Sequence, residues 1–206
     1  MRKIVTSFFI SAIILFILPL AAQESIDGKY IEIKPALPTQ SGDKIEVIEV
    51  FWYGCPHCYS FEPYLEAWVK SLPDDVEFIR LPGVLDQGWI PHAKAYYTAQ
   101  KLGLVEKLHR PLFEAIHRKK QRLFTEKELS TFFVENGVSP DEFEQIYNSK
   151  EVDTKIRQAY FAARDYKISG VPSMVINGKY TTTGTIAGTF DSLLNVVNIL
   201  IEKERK

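Results

Sequence analysis

Cysteine is nearly absent from this chain of 206 residues: there are two, Cys55 and Cys58, and both lie in one short motif. A framework of structural disulfides is therefore excluded, and so is a four-cysteine zinc site. Methionine is equally scarce, with two residues. Charge is balanced to a formal −1, which removes any general attraction for nucleic acid or an anionic lipid surface. Internal repeats and low-complexity tracts are missing. Hydrophobic residues at 46% and charged residues at 25% fit a globular domain with a sizeable core.

The long apolar run is confined to the first 22 residues. Arg2 and Lys3 precede an apolar stretch from Ile4 to Leu20, and the small residues Ala21 and Ala22 precede Gln23 and Glu24. Basic, apolar and small segments in that order read as a secretory signal peptide over residues 1–22. A retained anchor is the alternative, because the run approaches membrane-spanning length. Thr6, Ser7, Ser11 and Pro19 weaken it as a permanent span and favour cleavage. Export to an oxidising compartment makes disulfide chemistry available.

The mature chain, residues 23–206, opens with a lead-in containing Gly28, Pro35, Pro38 and Gly42, with room for one edge strand. Ile45 to Tyr53 is β-branched and aromatic and predicts a strand. Phe61, Leu65, Trp68, Val69 and Leu72 then recur at helical spacing, with Pro63 expected to kink the helix. Val76 to Leu81 predicts a second strand, which after a helix should lie parallel to the first. Residues of about 86–167 read as four or five short helices. Thr125 with Glu128, and Ser139 with Glu142, mark capping boxes, and Gly103 and Gly137 mark helix ends. After Pro172 the chain returns to strands, with Asn177-Gly178 as a two-residue hairpin turn, and Phe190 to Ile201 reads as a last amphipathic helix. The order predicts an α/β fold: a thioredoxin-like domain, with a mixed sheet flanked by helices, carrying an inserted all-helical domain.

Cys55-Pro56-His57-Cys58 stands where the first strand meets the first helix. A sulfur at a helix N-terminus faces unpaired N–H groups and the positive end of the dipole, so its thiolate is favoured. His57 adds a nearby donor. Cys58, one turn on, shares a helix face with Cys55 and is placed to attack a mixed disulfide. An inert bridge is the plain alternative, but closing so short a loop restricts the unfolded chain very little. Zinc lacks further ligands, and Tyr59 after the second cysteine excludes a haem-attachment motif.

Cys55-Pro56-His57-Cys58, the preceding Phe51-Trp52-Tyr53 and the later Gly170-Val171-Pro172 resemble the DsbA family of periplasmic thiol:disulfide oxidoreductases. The resemblance runs through nearly all of the mature chain. It implies a protein dithiol oxidase that donates a Cys55–Cys58 disulfide to reduced, newly exported proteins. It further implies re-oxidation by a DsbB-type membrane partner, with no cofactor and no metal. A disulfide reductase or isomerase is the enzymatic rival, and a metal- or redox-binding thioredoxin-like module the non-enzymatic one. Against an isomerase, the chain shows no separate N-terminal segment long enough for a dimerisation domain, and the oxidase is expected to be a monomer. In the family the proline matching Pro172 is cis and lies against the cysteines. Val171 would then present its backbone to an extended substrate strand.

Two charges remain. Ile45, Val47, Glu49 and Phe51 share one strand face, and Val76, Phe78 and Arg80 share another. A carboxylate and a guanidinium on otherwise apolar faces suggest a buried pair, with a strand end reaching solvent as the alternative. The family carries an acid at the position of Glu49, implying that Glu49 accepts or relays the proton of Cys58. It carries a lysine where Arg80 stands, and the arginine is expected to hold the acid more firmly ionised. His92, His109 and His117 read as surface or packing residues without assigned chemistry.

Overall fold

The seven consecutive residues Ile45–Phe51 (β2) are all buried, and the alternation of their side chains decides what each side of the sheet carries. Val47 enters a core with α1 (Pro56–Val69) and α8 (Phe190–Glu204), built on Phe61, Leu65, Leu193, Val197 and Leu200. Ile48 and Val50 face the other way, against Ala163, Tyr166 and Ile168. The description comes from a computed structural model and covers residues 25–206; the leader sequence read over residues 1–22 lies outside the described residues.

The remaining strands are β1 (Ile31–Glu32), β3 (Val76–Pro82), β4 (Ser173–Ile176) and β5 (Tyr180–Thr183), in the order β1-β5-β4-β2-β3. β2 and β3 are parallel, as a strand–helix–strand unit requires, while β4 runs antiparallel to both β2 and β5. β1 covers the edge beside β5. The mixed sheet with helices on both faces is the fold class the sequence predicted.

A 3₁₀ turn (Gln87–Trp89) and helices α2 (Ile90–Lys101), α3 (Val105–His117), α4 (Glu126–Glu135), α5 (Pro140–Tyr147) and α6 (Lys150–Asp165) lie between β3 and β4. Their shared core contains Leu108, Leu112, Phe113, Leu129, Phe133 and Phe143. Thr125 and Glu128 form the reciprocal capping box of α4. Ser139 caps α5 by accepting the Glu142 N–H, without a returning bond from the exposed Glu142 carboxylate. Gly103 and Gly137 take φ of +68° and +93° beyond α2 and α4, where glycine stops a helix at least cost. A short helix α7 (Gly184–Ala187) between β5 and α8 escaped the sequence reading.

α1 runs through Pro63, which lies on the exposed side, where only the Tyr59 carbonyl loses its helical donor. One expectation needs adjustment. The hairpin connection has three residues, not two: Asn177 and Gly178 hold φ of +49° and +62°, the Lys179 N–H returns to the Ile176 carbonyl, and pairing resumes at Ile176–Tyr180.

Candidate active site

β2 ends at Phe51, and the next four residues turn the chain into α1. The Cys55 N–H donates to the Trp52 carbonyl at 2.9 Å, closing the turn. Trp52 stacks on Trp89 with ring centres 4.5 Å apart, and a side-chain carbon on Gly54 would fall 2.3 Å from the Trp52 ring. Only glycine fits there. Cys55 is the N-cap of α1, with φ −86° and ψ 117°, and Pro56 occupies the first helical position. Its sulfur accepts the Cys58 N–H at 3.4 Å and, as a thiol, can donate to the Val171 carbonyl at 3.5 Å.

The two sulfurs sit in opposite environments. The Cys55 thiol is lowered to about 6, first by hydrogen bonding from the Cys58 side chain, against the cost of burial, and then by the Cys58 and His57 N–H groups and the His57 charge. Burial, with the adjoining Cys55 sulfur, pushes Cys58 well above the ordinary thiol value. Cys55 is 7% exposed and Cys58 not at all, so an incoming reagent meets Cys55 first. His57 is exposed on the first turn.

The Val171–Pro172 peptide bond is cis and borders the Cys55 sulfur. Both residues line a groove of about 780 Å³ together with His57, Tyr64, Ile186 and Phe190. The groove therefore joins the first turn of α1 to the N-terminal end of α8.

Glu49 and Arg80 are direct partners in the parallel register of β2 and β3. Glu49 is fully buried, which removes the solvent-exposed alternative, and its Oε2 lies 3.4 Å from Arg80 Nε. Yet neither carboxylate oxygen of Glu49 has a hydrogen-bond partner. Arg80 instead donates through Nη2 to Glu62 at 3.0 Å. The expected pair is therefore present as an ion pair without a hydrogen bond. Burial raises Glu49 well above the usual carboxylate range, the nearby Glu62 charge adds to that, and Arg80 offsets them only in part.

Sequence reasoning missed Glu62 and left His109 without a partner. Glu62 lies one turn after Cys58 on the same buried stripe as Phe61 and Leu65, a charge on an apolar face that could have been flagged. His109 falls on the buried stripe of α3 with Leu108, Leu112, Phe113 and Ile116. Its Nε2 lies 3.2 Å from Glu62 Oε1, and the Tyr53 hydroxyl lies 2.8 Å from its Nδ1. His92 is buried as well, with Nε2 2.8 Å from the Leu123 carbonyl, and is lowered to about 4 by burial. The half-buried His117 stacks on Tyr59 and reaches the Tyr53 carbonyl at 2.7 Å. Of the surface and packing alternatives, packing holds for His92 and His109, because the insertion folds their helix faces inward.

Known proteins resemble the chain in both sequence and fold. The DSBA-like thioredoxin domain family matches residues 90–191, a span beyond the cysteine motif. The thiol:disulfide interchange protein DsbA of Pseudomonas syringae pv. tomato is 39% identical over 100% of this chain and 97% of its own length. The same-named protein of Pseudomonas aeruginosa is 37% identical over 100% and 98%. The chain belongs to the DsbA family. The crystal structure of Pseudomonas aeruginosa DsbA superimposes with a TM-score of 0.83 at 39% identity, covering 87% of this chain and 93% of that one. DsbA from Xylella fastidiosa gives 0.82 at 34%, covering 89% and 98%. As a member of that family, the chain is a thiol:disulfide oxidoreductase of oxidative folding, acting on reduced proteins. Among the described residues no helix is long and apolar enough to cross a membrane.

Proposed function

We propose that Cys55 is the sulfur that exchanges with clients, that Cys58 resolves, and that Glu49 handles the Cys58 proton. The opposite environments of the two sulfurs carry this reading. A client thiolate attacks Cys55 Sγ in the disulfide form, forming a mixed disulfide while the Cys55–Cys58 bond breaks. Cys58 leaves with the electron pair, and burial makes its anion costly, so it takes a proton from Glu49. A second client thiolate then attacks the client sulfur of the mixed disulfide. Cys55 leaves as a thiolate, well suited because it is held by the N–H groups of α1. Two client thiols become one disulfide, and two electrons pass to the cysteine pair.

The groove beside cis-Pro172 offers the Val171 backbone and an apolar floor to an extended client segment. His57 adds positive potential to the first turn. The order of basic, apolar and small residues over 1–22 supports export to the periplasm, where a DsbB-type membrane oxidase would restore the disulfide of the monomeric protein. The roles of the cysteines are tested by trapping: Cys58→Ser accumulates mixed disulfides with exported proteins, and Cys55→Ser accumulates none. Clients bound to Cys55→Ser alone would reverse the assignment.

A further inference from the structure

Two buried carboxylates and a half-buried guanidinium meet near the cysteines: Glu49 from β2, Glu62 from α1 and Arg80 from β3. A single guanidinium cannot satisfy two buried carboxylates equally, so their like charges favour a proton on one of them. The sheet and α1 alone do not decide which, since Arg80 lies within 3.4 Å of both. The donors are nevertheless divided unequally. Glu62 receives Arg80 Nη2 on Oε2 and faces His109 Nε2 with Oε1, whereas Glu49 has the ion pair to Arg80 Nε at 3.4 Å and no hydrogen bond among the described residues.

We propose that His109, supplied by the helical insertion, is a positioning residue for the Cys58 proton: its Nε2–H locks Glu62 as the anion opposite Arg80 and leaves the exchangeable proton on Glu49. The ring is held for that task from its other side. The Tyr53 hydroxyl lies 2.8 Å from Nδ1, and in the tautomer we assign it donates there and leaves Nε2 as the protonated nitrogen of a neutral imidazole; Phe51, Tyr96 and Phe113 enclose the ring. Titratable and charged neighbours face it from each packed element: Glu62 and Glu66 of α1, Arg80 of β3, Tyr53 of the turn, Tyr96 of α2, and Glu106 and Arg110 of its own helix. Burial holds His109 below its ordinary value despite Glu62, in keeping with a neutral donor. Glu62 is held below the carboxylate range because the His109 hydrogen bond and Arg80 outweigh its burial.

This inference rests on the role proposed for Glu49, and its test separates the two. Carboxyl-labelled glutamate is followed by carbon-13 NMR across pH in the disulfide form of the full chain, with Glu49→Gln and Glu62→Gln assigning the two buried resonances. His109→Leu should lower the Glu49 midpoint by about one pH unit or more and raise that of Glu62. The acid limb of dithiothreitol oxidation should move with it. His109→Gln, whose amide reaches the Nε2 position, should restore both, and His109→Asn, which does not reach, should fail to. The second pair also serves if His109→Leu does not fold. A Glu49 midpoint unchanged by leucine, or identical in the glutamine and asparagine variants, overturns the inference. A midpoint that moves as expected while Glu49→Gln oxidises dithiols normally overturns the role of Glu49 in catalysis instead.

Discussion

The chemistry of single residues is set by how many donors reach each charged atom. Cys55 has the N–H groups of a helix terminus and its thiolate is favoured; Cys58, three residues on, has a buried pocket and its thiol is favoured. Alkylation of the reduced protein by iodoacetamide should therefore titrate with a midpoint of about 6 at Cys55, while Cys58 stays unreactive at neutral pH. His57→Ala should move that midpoint upward, because the substitution removes the His57 charge while the backbone N–H remains. A midpoint near the ordinary thiol value in the unsubstituted protein would remove the thiolate from the mechanism. Glu49→Gln keeps the shape of the side chain but cannot give up a proton at Cys58. Stopped-flow oxidation of a small dithiol should slow on the order of 10²-fold with the melting temperature nearly unchanged. An equal rate across the acid range would refute proton transfer by Glu49.

Among the elements, the sheet owes its alignment to a few close backbone approaches. The three-residue turn between β4 and β5 touches the lead-in chain: the Leu37 N–H donates to the Gly178 carbonyl, and the Asn177 N–H donates to the Glu46 carbonyl on β2. Gly178 has φ of +62°, and a side-chain carbon there would lie 2.2 Å from the Leu37 carbonyl oxygen. Gly178→Ala combines an unfavourable conformation with a clash against backbone that cannot rotate away. It should cost more than about 1 kcal/mol in denaturant unfolding, without altering the Cys55 titration. A neutral substitution would show that the lead-in segment is free to move off the turn. α6 ends differently from α2 and α4: Lys167, not glycine, takes the left-handed position at φ of +57°, and the Ile168 N–H closes on the Ala163 carbonyl.

For the whole molecule, folding stability and redox state are linked through the Cys55 proton. A thiol held at about 6 in the fold and at roughly 8.5 in the unfolded chain stabilises the reduced protein fully above 8.5. That contribution shrinks as pH falls and vanishes once pH passes below about 6. The raised Cys58 thiol acts with the opposite sign: its contribution is intact below the unfolded value and is lost as pH rises above it. The advantage of the reduced form should therefore peak near pH 8 and decline on both sides. Each pH unit separating the folded and unfolded midpoints corresponds to about 1.4 kcal/mol, and solvent screening at the partly accessible sulfur leaves an advantage on the order of 2 kcal/mol. A short disulfide ring contributes little against it. Thermal melts of both redox forms from acid to alkaline pH provide the measurement, and an oxidised form that is the more stable at pH 8 would contradict the linkage.

Much of this was readable along the chain because local physics governs it. Strand alternation in β2, the capping pair Thr125–Glu128, the glycine stops at Gly103 and Gly137, and a cysteine pair opening a helix each depend on neighbours a few residues away. The parity of Glu49 and Arg80 likewise needed only that β2 and β3 be parallel. What the linear order could not disclose is how charge is shared once those elements pack. Glu62 and His109 are 47 positions apart and meet only because the insertion folds α3 against α1. Arg80 was expected to serve Glu49, yet its hydrogen bond goes to Glu62, where a second donor already stabilises the anion. Desolvation and donor counting are properties of a closed three-dimensional site, so the tertiary structure alone decided which buried acid keeps its proton.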